Sequence, residues 1–181
     1  RPWRTSDFKS IDDRVRGGSS QSYTSLYQSS DHPDRNGELI FSGFLDTTTL
    51  GGAGFASQST SDAFPIKLEK KVYRGLRLVV RNPDPGGGKN PVTSFVLELK
   101  TVKPATRPDG RRESTIVWEW KFDLPRSSAQ RRHLEDLLVY ESTWNDFKPK
   151  YRGRPVEDPD VAGEFRPQDT LEWSFMARSN F

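Results

Sequence analysis

Apolar side chains recur at every second position in segment after segment of this chain, and proline- or glycine-rich stretches cut each segment short. Ile116, Trp118, Trp120 and Phe122 alternate with Val117, Glu119, Lys121 and Asp123, and Phe95, Leu97 and Leu99 alternate with Val96, Glu98 and Lys100. Leu76, Leu78 and Val80 interleave with Arg77, Val79 and Arg81, and Leu171, Trp173 and Phe175 with Glu172, Ser174 and Met176. A period of two puts one side of a strand on a core and the other in water, the habit of antiparallel sheets. Residues 39–45, 54–59 and 137–141 read as further strands.

The punctuation agrees. Residues 82–88 (Asn-Pro-Asp-Pro-Gly-Gly-Gly) cannot continue a strand, because proline lacks a donor and glycine favours turns. Residues 104–112, centred on Pro108-Asp109-Gly110, read as a hairpin loop between strands ending near Thr101 and beginning near Ser114. Residues 127–136 fit one or two helical turns, and the Ser-, Gln-, Asp- and Tyr-rich stretch 18–38 reads as the mobile part. No repeat or linker interrupts the 181 residues. They predict a single all-β domain, a sandwich or barrel large enough to bury roughly 70% of its unfolded surface.

Composition removes several kinds of chemistry. There is no cysteine, which excludes disulfides, thiolate catalysis, Cys-ligated zinc and iron–sulfur clusters, and fits a reducing compartment. No Asn-x-Ser/Thr acceptor occurs, which disfavours an extracellular setting. No apolar run approaches the ~20 residues of a membrane-spanning helix. Charges are abundant but mixed, with a net of +3, so the dense basic stripe of a nucleic-acid binder is missing. The chain begins at Arg1 with no Met, so an upstream segment is expected and targeting is not readable from these residues.

Candidate sites are few. His32 and His133 are the only histidines and lack a neighbouring ligand pattern, so both read as solvated surface rather than a metal site. No Gly-x-Ser-x-Gly elbow is present. The carboxylates Asp12/Asp13 and Glu157/Asp158/Asp160 lack EF-hand spacing and read as turn or capping groups. Gly51-Gly52-Ala53-Gly54 leads into Phe-Ala-Ser rather than Gly-Lys-Ser/Thr, so it reads as a turn or close-packing element, not a phosphate cradle. No catalytic residue, metal or cofactor is assigned.

Two features point to binding. The segment Lys148-Pro149-Lys150-Tyr151-Arg152-Gly153-Arg154 is basic, carries one aromatic ring and is stiffened by Pro149 and Pro155. Its arginines can donate charge-assisted hydrogen bonds to acidic groups while Gly153 turns the backbone between them. With Trp144 and Phe147 beside it, this is the predicted partner-contact surface. Trp3 and Trp144, near strand ends, also raise a sugar-stacking platform, whereas Trp118 and Trp120 share a strand face that reads as core.

Several short motifs then follow in a specific order. They are Trp3, Asp12-Asp13-Arg14-Val15-Arg16-Gly17-Gly18-Ser19, Phe41-Ser42-Gly43-x-Leu45, Gly52-x-Gly54-Phe55-Ala56-Ser57, Tyr73-Arg74-Gly75-Leu76-Arg77-Leu78 and Trp144-x-x-Phe147-x-Pro149-x-x-Arg152-Gly153-Arg154. In order and separation this set resembles the complex I intermediate-associated protein family over most of the chain. The resemblance implies a galactose-binding-domain-like jelly-roll β-sandwich. It also implies a non-catalytic mitochondrial chaperone of membrane-arm intermediates of NADH:ubiquinone oxidoreductase, with a cytoplasmic location as the alternative. On this reading Asp13, Gly17, Gly18, Gly52, Gly54, Phe55 and Gly153 are structural. A carbohydrate-binding sandwich is the rival function.

The chain departs from the family pattern in three places. Arg16 stands where the family has Met, so a charged contact is expected in place of an apolar one. Residues 127–136 read as an insertion. Family members continue into one more strand beyond Phe181, so the domain over 1–181 is expected to lack its last strand, leaving an edge that would be a liability.

Overall fold

The computed structural model describes residues 2–60, 68–81, 92–110, 112–125 and 137–179. The expected turn at 82–88 and the expected helical turns at 127–136 lie outside them. The described residues form eleven strands: β1 (Phe8–Ser10), β2 (Gln21–Leu26), β3 (Leu39–Phe44), β4 (Phe55–Thr60), β5 (Gly75–Val80), β6 (Ser94–Lys100), β7 (Val117–Asp123), β8 (Leu138–Thr143), β9 (Lys148–Tyr151), β10 (Arg154–Pro155) and β11 (Glu172–Arg178). One short helix, α1 (Pro159–Ala162), and five 3-10 turns complete them. The all-β class read from the alternation is the class observed, and its antiparallel strands are consistent with a β-sandwich.

The chain divides into two compact units, Arg1–Pro65 with Glu172–Phe181, and Ile66–Leu171. In the first, β4 lies between β1 and β11, with Phe8 opposite Thr60 and Ser174 opposite Ser59, while β2 and β3 form a separate antiparallel pair. Its apolar side centres on Trp173, whose ring meets Phe8 edge-on at 5.6 Å and Trp3 at 5.8 Å. Such edge-to-face pairs add about 0.5–1.5 kcal/mol each beyond burial.

In the second unit β7 pairs with β6 on one side and β9 on the other, β9 turns back into β10, and β5 pairs with β8. A run of rings fills it. Trp118 stacks on Phe165 at 4.7 Å, Phe147 meets Phe165 at 5.4 Å, and Phe122 meets Tyr140 at 5.2 Å. The hairpin loop expected around Pro108-Asp109-Gly110 is present. Gly110 N–H donates to Arg107 O, Glu113 N–H to Ala105 O, and Thr106 bridges to Arg112.

Three expectations are corrected. Alternation predicted a water-facing side on every strand, and β5 and β8 follow it, with Arg77, Val79, Val139 and Glu141 exposed. In β4, β6, β7 and β11, however, side chains of both faces are buried, including Glu98, Glu119 and Glu172. For Glu172 and Glu119 a hydrogen bond or a facing cation makes that burial tolerable. Glu172 accepts from Ser59 Oγ and lies 3.8 Å from Lys9 Nζ, and Glu119 stands opposite both Glu98 and Lys148 in the strand register. Second, Leu171, expected inside, is 50% exposed, because the strand begins one residue later at Glu172. Third, stretch 18–38 is organised around β2, which pairs with β3 along its whole length.

Candidate functional site

Both glycine motifs meet at one pair of buried carboxylates in the first unit. Asp13, 1% exposed, accepts hydrogen bonds from Ser20 N–H (2.9 Å), Ser20 Oγ–H (2.6 Å) and Phe55 N–H (3.2 Å). Asp12 accepts from Ser57 N–H (3.0 Å), Ser22 N–H (3.1 Å) and Ser22 Oγ–H (2.6 Å), and Ser10 Oγ–H also donates to it. These bonds tie the turn Asp13–Arg16 to β2 and β4.

The glycines fit around that node. A Cβ on Gly18 would sit 2.4 Å from the Asp13 carboxyl group, and one on Gly54 would sit 1.8 Å from Asp46 O, so both positions lack room for a side chain. Gly17 (φ +84°) ends the Asp13 turn in the left-handed region, and Gly52 (φ +95°) turns the chain toward β4. Ser179 closes the arrangement by accepting from Gly54 N–H at 2.7 Å and donating its own N–H to Gly54 O at 3.0 Å. Phe55 is half-buried, and the guanidinium of Arg16 lies 5.3 Å from its ring centre. A cation thus lies over an aromatic ring at this position. Beside this node Asp46 is held well below the usual carboxylate range by hydrogen bonds from Thr49 and then Thr48.

The basic segment in the second unit is a hairpin rather than an open connection. Lys150 and Tyr151 on β9 face Pro155 and Arg154 on β10, and the two residues between them, Arg152 (φ +51°) and Gly153 (φ +78°), both have positive φ. That combination defines a tight hairpin turn whose twist matches the strands it joins. Arg152 is the one non-glycine described residue in that region, a conformation that costs a residue with a Cβ about 1–2 kcal/mol.

Trp144 and Phe147, predicted to share the contact surface, lie inside at 7% and 3% exposure. They belong to the ring cluster at the chain segment that leads into the hairpin. Trp144 Nε1–H donates to Tyr73 O at 2.6 Å, and Phe147 packs on Trp120 and Phe165. The turn Trp144–Asp146 that leads into β9 is closed by Asp146, which accepts from Thr143 N–H (2.7 Å) and Thr143 Oγ–H (2.8 Å). Those two bonds, with the positive charge of Lys148, hold the Asp146 carboxyl below its ordinary range.

Outside, Lys148, Tyr151, Arg152, Gly153 and Arg154 are exposed and Lys150 is half-buried. Lys148 Nζ donates to Asn145 O at 2.9 Å, and the Arg152 guanidinium lies 5.3 Å from the Tyr151 ring centre. Arg152 Nε–H also donates to Ser114 Oγ at 3.2 Å across a cleft of about 430 Å³ lined by Arg107, Arg112, Glu113, Ser114, Tyr151 and Arg152. Sequence reasoning missed the 107–114 side of this cleft. Only the pairing of β7 with β9 brings the two segments together, and the one signal was the arginine density of the loop.

The remaining sequence candidates fall elsewhere. Asp158 caps α1, accepting from Asp160 N–H at 2.9 Å. His32 lies on an exposed loop, and His133 is outside the described residues. Among the described residues no group of three or more His, Asp or Glu side chains is placed to hold a metal ion. Trp118, Trp120, Trp144 and Trp173 are buried, and Trp3 is half-buried against Phe8 and Trp173, so tryptophan does not supply the stacking platform that a sugar site would need.

Fold and surface together define an all-β protein that presents a cationic hairpin beside a buried cluster of aromatic rings. The sequence pattern of complex I intermediate-associated protein 30 (CIA30) matches residues 2–180, and the chain belongs to that family. It is also similar to uncharacterized protein C9E9.15 of Schizosaccharomyces pombe, with 34% identity over 182 residues covering 99% of this chain and 72% of the relative. No solved structure matches it.

Proposed function

We propose that this chain is a single, non-catalytic protein-interaction domain over 1–181 that acts as a mitochondrial chaperone in the assembly of respiratory complex I. The observation that carries the proposal is the family match, which spans both units from residue 2 to residue 180 and includes the hairpin motif from Trp144 to Arg154. The fold class supports the jelly-roll, galactose-binding-like architecture that the resemblance implies.

The contact surface is the β9–β10 hairpin, with Lys148, Lys150, Tyr151, Arg152 and Arg154 outward and Trp144 and Phe147 buried in the turn that leads into it. Guanidinium groups on a rigid turn suit acidic partner side chains, since little conformational freedom is lost on docking. A membrane-arm assembly intermediate is the proposed partner. Affinity purification of the tagged protein from mitochondria with quantitative mass spectrometry should enrich complex I membrane-arm subunits, and deletion should lower assembled complex I on native gels. Normal complex I in the deletion strain would overturn the reading, and cytoplasmic recovery of the tagged protein would overturn the location.

A further inference from the structure

We propose that Ser114 is a phosphorylation site whose phosphate is clamped by the hairpin and weakens its positive surface. Three observations converge on this serine. It is exposed in the irregular segment 113–116 that leads into β7, outside any strand or helix, where a kinase can reach it. The sequence before it is Arg111-Arg112-Glu113-Ser114, with arginines three and two positions upstream. Kinases that choose substrates by charge pattern read such arginines through acidic pockets.

The third observation is geometric. Arg152 Nε–H already donates to Ser114 Oγ at 3.2 Å, and Arg107 and Arg112 line the same cleft. A phosphate on that oxygen would therefore enter a ready cluster of guanidinium groups, which bind phosphate oxygens through paired, charge-assisted hydrogen bonds. Glu113 at the rim is the one acidic side chain of the lining, and its charge opposes the phosphate there.

The reaction is phosphoryl transfer from ATP by a serine/threonine kinase. A bond forms between Ser114 Oγ and the γ-phosphorus while the bond from that phosphorus to the β,γ-bridging oxygen breaks. ADP leaves, and the hydroxyl proton passes to the kinase's catalytic carboxylate. The product carries about −1.5 to −2 charge near pH 7. That offsets about half of the positive charge of Lys148, Lys150, Arg152 and Arg154, so the outward surface of β9–β10 attracts acidic groups more weakly. This regulatory role rests on the hairpin being the partner-contact surface.

The test treats the whole chain with the purified catalytic subunit of cyclic-AMP-dependent protein kinase and Mg-ATP, with phosphate located by mass spectrometry. Incorporation should fall predominantly on Ser114, disappear in Ser114→Ala, and drop at least tenfold in Arg111→Ala/Arg112→Ala. If the isolated Arg-Arg-Glu-Ser peptide is phosphorylated while the folded chain is not, or the label falls on Thr115, the site is overturned. By phosphorus NMR, the second ionisation of the phosphate should lie roughly one pH unit lower than in phosphorylated Arg152→Gln. Equal ionisation overturns the clamp. Phosphorylation with the clamp intact but undiminished capture of complex I subunits overturns the switch and the contact surface while the modification stands. Lost capture on charge reversal of the hairpin, with Ser114 unmodified, does the reverse.

Discussion

Replacing Asp13 by Asn tests the claim that the paired glycine motifs serve a buried hydrogen-bond node. The substitution keeps the volume and turns one acceptor oxygen into an N–H₂ donor. Asp13 receives two backbone N–H groups, one on each oxygen, from Ser20 at 2.9 Å and Phe55 at 3.2 Å. Whichever way the amide is turned, one of them faces a donor. A buried backbone group left unmatched costs about 1–3 kcal/mol. The Ser20 hydroxyl is also constrained, since it donates to Asp13 at 2.6 Å and accepts from Asp46 N–H at 2.9 Å. The less costly amide orientation puts its nitrogen at the Oδ1 position, which unmatches Ser20 N–H but leaves an oxygen for the Ser20 hydroxyl and Phe55 N–H.

The expected loss is therefore about 1–3 kcal/mol, or a fall in melting temperature of roughly 6 °C at the 2–4 °C per kcal/mol typical of 150–250 residues. Thermal melts followed by circular dichroism, with urea titrations for the free energies, measure it. Asp13→Asn, Ser20→Ala and the double variant should show a coupling of about 1 kcal/mol or more, because both side chains act in one network. An Asp13→Asn protein melting within about 2 °C of wild type would refute the reasoning.

Three further outcomes are expected. Gly54→Ala places a methyl group 1.8 Å from Asp46 O and should prevent stable folding or cost at least ~3 kcal/mol, whereas Gly37→Ala meets nothing within 4 Å and should cost only the ~1 kcal/mol of its positive φ. Similar urea midpoints for the two variants would contradict the packing argument. Asp46 and Asp146 have folded-state pKa values below their ordinary 3.8, so they stabilise the fold above about pH 4 and that increment is lost as the pH falls below it. Melting temperature should therefore drop more steeply below pH 4 in wild type than in Thr48→Ala/Thr49→Ala, and parallel curves would exclude the hydrogen bonds as the cause. Arg152→Glu/Arg154→Glu should reduce capture of complex I subunits tenfold or more, equivalent to about 1.4 kcal/mol. Because both side chains are exposed, the melting temperature should change little, and a large fall would mean that unfolding, not lost contact, explains the result.

The strands were legible because a period of two survives wherever an apolar face meets a core. Leu76, Leu78 and Val80, Trp118, Trp120 and Phe122, and Phe95 and Leu97 all fall in strands as read. β1, β2, β9 and β10 escaped; in β2 the inward residue Ser22 is polar and is held by Asp12 and Gln58 rather than by apolar contact. A segment anchored by carboxylate and hydroxyl groups has no hydrophobic signature, so composition made it look mobile. The burial of Glu98, Glu119 and Glu172 was equally hidden, because a charged side chain reads as surface until its partners across the sheet are known.

The candidate surface divides in the same way. Its charge, its aromatic neighbours and its glycine stood in the sequence from Trp144 to Arg154, as did the order of motifs that marks the family. Whether Trp144 and Phe147 faced outward or inward depended on the ring cluster with Phe165, contributed from a later part of the chain. The cleft with Arg107, Arg112 and Ser114 exists only because β9 adds to the edge of β7, which sets Lys150 opposite Val117. The sequence by itself determined the strand class, the charge of the turn and the family. The tertiary structure decided which glycines crowd a carboxylate, which aromatics are buried and which arginines converge, because those outcomes depend on strand register, and register is set by pairing between distant residues rather than by local pattern.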